Sequence, residues 1–411
     1  MVNERESYFQ TLKSLRDERR KSEPEPEFRM GMFTPQVTVG QTLLGVGVGW
    51  EPMTILNRAV TIWARTAMPA ILRGADELGW EKWILTLDQR QGETVTNAGK
   101  AFRKELGVTG NTLNDVLIVA AAGTSGCGFN WHRIAEFDAA RNRVYGVGNG
   151  CPMINAARDM GVEDKCKQQS IWCDLYDYFE TRASNPEIWY THGFCLGRGD
   201  PMCGFVIHYE KRKPGENLYQ SLKRIQDEKR AEIGDVTKYF VPGYRRPRVA
   251  EKWSQQELLE MGVRIWRRIA VASIIIGADS VGWEKVINGM NKVEGPRLTE
   301  ITKNTAVKYG ITGTTALDAS LLMSLGMLGC GFDDHQVIHW TPKRVEGVAR
   351  TCPIIESAKE LKLADRLGEI SLWCDAYRNF EVHGANEKFW VTHTHCLGRG
   401  DKLCRWVIDD K

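Results

Sequence analysis

The chain has 411 residues, 42% of them hydrophobic and 26% charged, an ordinary globular balance that excludes disordered, collagenous and low-complexity classes. Its 55 basic and 52 acidic residues leave a net +3, too even for nucleic acid or an anionic membrane surface as the main partner. No run approaches the roughly 18 uninterrupted apolar residues of a membrane span, and the start Met1-Val2-Asn3-Glu4-Arg5-Glu6 lacks an apolar signal core, so the expected setting is cytoplasmic, with eleven reduced cysteines.

In chain order, a charged helix opens the sequence and an irregular Pro-containing stretch follows at 24–35. Apolar positions at helical spacing over 54–78 predict a helix closed by Gly79. A second helix is expected at about 96–106, ended by Gly107. A third covers 112–122, N-capped by Thr112 or Asn111, and runs into glycine-rich 123–128. Residues 133–137 and 143–147 read as paired strands about a polar turn, and Cys151-Pro152 opens another helix. Stretches 189–194 and 205–209, rich in aromatic and β-branched residues, flank Gly197-Arg198-Gly199-Asp200-Pro201. They predict a terminal hairpin whose Asp200 caps backbone amides. Helices first and antiparallel strands later argue for an α+β fold rather than a doubly wound sheet. The glycines of 123–128 lack the Gly-Lys-Ser/Thr ending of a phosphate loop. Fourteen tryptophans suit either core packing or an aromatic pocket.

The same order then recurs. Phe194-Cys195-Leu196-Gly197-Arg198-Gly199-Asp200 returns as His395-Cys396-Leu397-Gly398-Arg399-Gly400-Asp401, an offset of 201 that also pairs Cys151-Pro152 with Cys352-Pro353 and Trp172-Cys173-Asp174 with Trp373-Cys374-Asp375. Upstream the offset is 203, as in Gly126-Cys127-Gly128-Phe129 against Gly329-Cys330-Gly331-Phe332. The change falls in a loop expected near 139–142. Even the opening helix repeats, Tyr8-Phe9-Gln10-Thr11-Leu12-Lys13 resembling Leu218-Tyr219-Gln220-Ser221-Leu222-Lys223. Two tandem homologous domains follow, 1–212 and 213–411, divided at Lys213-Pro214-Gly215. The copies are expected to pack as a pseudo-two-fold pair, and a homo-oligomer is compatible with them.

Ten of the eleven cysteines fall into matched pairs, and only Cys166 faces a non-cysteine, Leu367. His192-x2-Cys195-x7-Cys203 lies on the expected hairpin with Cys173 upstream, and His393, Cys396, Cys404 and Cys374 repeat it. Thiolates and imidazole are the donors tetrahedral zinc prefers, so each copy offers a Cys3His set; half-buried core cysteines or an iron–sulfur cluster are alternatives. Cys151 and Cys352, each before a proline at a helix start, are candidate nucleophiles, since a helix N-terminus favours a thiolate. Cys127 with His132, and Cys330 with His335, are candidate nucleophile–base pairs. Asp174 and Asp375 are candidates to orient a histidine, hold a substrate amine or move protons.

From Cys-Pro through Cys-Asp to Gly199-Asp200-x2-Cys203-x-Phe205, and again to Gly400-Asp401-x2-Cys404 with Trp406 in the aromatic place, each copy resembles the L-2-amino-thiazoline-4-carboxylic acid hydrolase family. The hairpin is similar to that of vinyl-reductase-type small-molecule-binding domains, whose sensor members hold zinc on a Cys-x7-Cys hairpin. The resemblance covers roughly 60 residues per copy; the tandem arrangement departs from it. It implies a metal-containing hydrolase, with zinc as the expected metal, that opens a small cyclic amidine or related C–N bond using the metal or an activated cysteine as nucleophile. A small-molecule-binding protein with structural zinc, or a thiolate–metal redox or group-transfer enzyme, is the alternative. The implied partner is a small-molecule substrate or ligand, with no nucleic acid and no membrane.

Overall fold

The computed structural model describes residues 7–23, 34–35, 50–129, 132–138, 142–239 and 253–410. The Pro-containing stretch at 24–35, its counterpart in the second repeat at 242–247 (Pro242 to Pro247) and the loop near 139–142 lie wholly or largely outside them. Among the described residues the chain is α+β, with twelve helices and two antiparallel sheets. No described helix is long and apolar enough to cross a membrane.

In chain order the elements are α1 (Tyr8–Ser22), β1 (Thr34–Pro35), α2 (Pro52–Leu78), α3 (Trp80–Leu106), α4 (Leu113–Ser125), β2 (His132–Asp138), β3 (Arg143–Gly148), α5 (Pro152–Asp159), α6 (Gln169–Arg182), β4 (Ile188–Phe194) and β5 (Cys203–Tyr209). The pattern then repeats as α7 (Leu218–Ile233), α8 (Gln255–Val281), α9 (Trp283–Tyr309), α10 (Ala316–Met327), β6 (Gln336–Trp340), β7 (Arg344–Ala349), α11 (Pro353–Glu360), α12 (Ile370–His383), β8 (Phe389–His395) and β9 (Cys404–Asp410).

Local chemistry explains most boundaries. Thr112 accepts from Asp115 N, and Asp115 returns the bond, closing a capping box at α4; Thr315 and Asp318 do the same at α10. Gly79 ends α2 and, at φ 78°, starts α3, which runs to a left-handed Gly107. The expected helix at 96–106 is thus only the last part of α3. Its first turns carry Trp83, Ile84 and Leu87, all fully buried and at helical spacing.

The sheets have strand orders β2-β3-β5-β4 and β1-β6-β7-β9-β8. In the first sheet, one face packs Ile134, Val144, Ile188, Tyr190, Phe205 and Ile207 on the Leu113–Val116–Leu117 stripe of α4. The other face packs Tyr145, Val147, Phe194 and Val206 on Ile233 and Val236. Strand β4 is therefore buried along its whole length, which accounts for its apolar, aromatic character.

The described residues form two compact units. The first-sheet unit draws on Ala70–Arg158 and Val162–Trp266, and the second-sheet unit on Met1–Pro69, Asp159–Gly161 and Arg267–Lys411. The boundary near residue 213 divides the sequence pattern, whereas the units exchange leading segments. Helix α1, at the head of the first repeat, packs on β8 and α12 of the second sheet; α7 packs on β4 and α6 of the first. Arg20 on α1 pairs with Asp401 at 2.7 Å, as Arg230 on α7 pairs with Asp200 at 2.7 Å.

Candidate metal centre

The hairpin turn carries two of the thiols, and its shape is fixed by backbone chemistry. Gly199 (φ 85°) and Gly400 (φ 87°) occupy left-handed positions that favour glycine. Asp200 Oδ2 accepts from Cys195 N at 2.7 Å, and Asp401 Oδ2 from Cys396 N at 2.7 Å, the expected amide cap. Arg198 donates to the His192 and Gly193 carbonyls at 3.1 and 2.7 Å. A β-bulge between His192 and Phe194, repeated between His393 and His395, re-aims the chain just ahead of the first hairpin cysteine.

Helix α6 brings Cys173 and Asp174 to this turn. Asp174 is fully buried. Its Oδ1 accepts from His192 N at 2.9 Å and faces His192 Nδ1 at 2.7 Å, while Oδ2 accepts from Gln226 of α7 at 2.6 Å. In the second-sheet unit Asp375 Oδ1 repeats the pair of contacts to His393 at 2.7 and 2.6 Å. A carboxylate on Nδ1 fixes the ring and leaves Nε2 as the free donor, the orientation that metal-bound histidines use. Burial, the largest single influence, pulls His192 down, but the Asp174 bond together with the charges of Asp174, Asp177 and Cys195 holds the imidazole above its ordinary value.

The five donors belong to one neighbourhood. Cys195 is drawn below its ordinary value by a bond from Cys203 and by nearby His192, and Cys203 is raised in turn. Cys151 and Cys173 each sense Cys195 electrostatically. Backbone N–H groups point at the hairpin sulfurs: Leu397 N lies 3.4 Å from Cys404 Sγ and Gly398 N 3.3 Å from Cys396 Sγ. Such donors favour a thiolate. The structure thus gathers Cys173, His192, Cys195 and Cys203, and likewise Cys374, His393, Cys396 and Cys404, and adds Cys151 and Cys352 to them.

The donor types suit zinc, but among the described residues no three of these thiols and imidazoles bring their ligand atoms within 4.8 Å of one another, as Asp174, Asp177 and His192 do. Burial and neighbouring thiols push Cys151 up to about 12 and Cys173 well above its ordinary value. A bound divalent cation would offset that penalty. The same shift bears on the helix-start argument. Backbone amides of Met153 and Ile154 do lower Cys151, yet desolvation outweighs them, and Cys352 likewise rises to about 11.

In the second-sheet unit these residues border a partly open, largely apolar chamber with a cavity volume of about 50 Å³. Cys352, Cys374, His393, Cys396 and Cys404 all line it. Its walls are Trp63, Phe332, Trp373, Tyr377 and Trp406, with Cys330, His335 and Arg378 among them. His335 is 5% exposed, and neither ring nitrogen has a hydrogen-bond partner. In the first-sheet unit Cys127 Sγ donates to Gly123 O at 3.4 Å, and His132 packs against Phe129 and Phe205.

Sequence reasoning missed three contributors. Gln226 sits on a helix 52 residues from Asp174, with no local signal linking them. Asp177 lies one helical turn past Asp174 and 3.7 Å from His192 Nδ1; recognising α6 as a helix would have placed it there. Among the described residues Asp174, Asp177 and His192 form the group whose ligand atoms lie within 4.8 Å of one another. Arg378 stands where the first repeat has Asp177. Comparison with known proteins finds no matching family model, no matching curated protein and no matching solved structure.

Proposed function

We propose that the chain is a zinc-containing hydrolase that opens a small cyclic amidine or related C–N bond, working where a thiolate–histidine centre opens into an aromatic chamber. The observation that carries the reading is that the five candidate donors of the second-sheet unit line the chamber instead of being sealed beneath it, so a small molecule there meets the centre directly. With at most three of these side chains as ligands and one position open, bound zinc would polarise the substrate and lower the pKa of a coordinated water. The aromatic walls would hold a flat ring and exclude bulk water, and His335 would give or accept one hydrogen bond at the ligand. Asp174 and Asp375 act as positioning residues through His192 and His393.

A second reading, a binding protein with structural zinc, is favoured by one observation: Asp174 is fully buried and committed to His192 and Gln226, so it is shielded from a substrate proton. Incubation of the purified chain with 2-aminothiazoline and 2-aminoimidazoline carboxylates, followed by mass spectrometry, separates the two. Ring-opened product that disappears with a chelator supports hydrolysis. Ligand-dependent thermal stabilisation without product supports the binding protein.

A further inference from the structure

Each compact unit is built from both repeats. The first-sheet unit takes residues 70–212 from the first repeat, apart from 159–161, and 213–266 from the second. The second-sheet unit takes 1–69 and 159–161 from the first and 267–411 from the second. The exchange is reciprocal. Trp63 of the first repeat stacks on Phe332 of the second at 6.2 Å, and its counterpart Trp266 of the second stacks on Phe129 of the first at 6.4 Å. Trp266 Nε1 also donates to Cys127 O at 3.1 Å. Tyr8 stacks on Phe380 at 5.7 Å, and the Arg230 guanidinium lies over the Phe194 ring at 4.4 Å.

The sites are completed in the same way. Gln226 of the second repeat donates to Asp174 of the first at 2.6 Å. Ile62, Trp63 and Thr66 of the first repeat line the chamber beside Cys330 and Tyr377 of the second, with Thr66 Oγ1 3.3 Å from Tyr377 Oη. The exchanged segments are buried as core: Leu12, Trp63 and Met68 in one unit and Leu222, Ile225 and Trp266 in the other are each 4% exposed or less. Burial of that kind belongs to permanent interfaces, which resemble a domain core cut in half. The covalent join adds little to it. Residues 211–215 are exposed, Pro214-Gly215 forms a turn, and a Cβ at Gly215 would meet nothing within 4 Å.

We propose that the two repeats are each other's binding partners. The leading segment of each, residues 7–69 and 218–266, docks on the body of the other; the second-sheet chamber is a shared site whose tryptophan wall comes from the first repeat; and the peptide join at 213–215 is dispensable to both. The partner that this surface fits is a second copy of the same repeat. The inference stands apart from zinc and from hydrolysis, since it concerns which chain segments build the chamber and not what the chamber does.

The test uses the full chain with a site-specific protease sequence inserted between Pro214 and Gly215, cut after purification and followed by size-exclusion chromatography with light scattering. Both pieces should elute as one species at the mass of the uncut chain, with a thermal midpoint that falls on dilution, as association of two chains requires. Alkylation of Cys330 by N-ethylmaleimide, read by mass spectrometry, should be equally slow before and after the cut. In the uncut chain Trp63→Ala, a change in the other repeat, should speed that alkylation at least about tenfold by opening the wall. Trp266→Ala should spare Cys330 and expose Cys127 instead. Separation into two folded pieces, aggregation on cutting, or a Cys330 rate raised by the cut itself would overturn the proposal, as would a Cys330 rate moved by both tryptophan substitutions or by neither.

Discussion

Asp174→Ala is expected to lower the stability of the first-sheet unit by about 3–5 kcal/mol, the cost of breaking a buried charged network from one side. The substitution leaves the His192 backbone N–H, the His192 ring nitrogen and the Gln226 amide without their common acceptor, in a place water does not reach. The milder Asp174→Asn keeps the volume but removes the charge that fixes the His192 ring. It should weaken zinc binding by about 10–100-fold, the usual effect of losing a carboxylate behind a metal-bound histidine. Denaturant titration followed by tryptophan fluorescence measures the first effect, and competition with a chromogenic chelator the second. An Asp174→Ala transition within about 1 kcal/mol of the parent would mean that the network is not the support described here.

Gly126→Ala should cost about 3 kcal/mol or more, although its backbone (φ −81°, ψ −14°) suits alanine. The obstacle is close approach. A Cβ at Gly126 would lie 1.7 Å from Leu258 O, and one at Gly262 would lie 1.9 Å from Gly126 O. Both neighbours are backbone atoms, so α4 and the start of α8 must separate. That contact seats Trp266, whose Nε1 donates to Cys127 O at 3.1 Å and whose ring stacks on Phe129. Gly126→Ala should therefore weaken both the unit and any ligand held by that aromatic wall. Gly277→Ala, in the same helix α8 with nothing within 4 Å of its Cβ, is the control. It should be neutral or stabilising by about 0.4–1 kcal/mol. Equal thermal stability of the two variants would contradict the packing argument.

Much of the architecture was legible in the residues. Capping pairs, glycine positions and alternating aromatic runs located the third helix and the hairpins, and the internal offset marked the matched thiols, because two copies in one chain can be compared directly. Helix α6 was not legible. It begins at Gln169 straight after a short 3-10 turn, with no side-chain cap, so its apolar positions Ile171, Leu175 and Phe179 had no start signal. The placement of α1 and α7 was equally hidden. An amphipathic helix shows that one face is buried, not which sheet buries it, and here each leading helix lies on the sheet of the other repeat. Gln226 was lost for the same reason. Cys151 read as a nucleophile from its proline, but its burial among other thiols can be known only from the fold.

The central claim is one thiolate–histidine metal centre in each repeat. Elemental analysis of anaerobically purified chain, with an absorption spectrum of the same sample, tests it most directly. The account predicts close to two zinc per chain and no visible band. Metal-free protein that keeps its fold would contradict it, leaving the hairpin thiols as reduced core residues, and a coloured iron-containing sample would replace zinc hydrolysis with redox or group-transfer chemistry at the same cysteines.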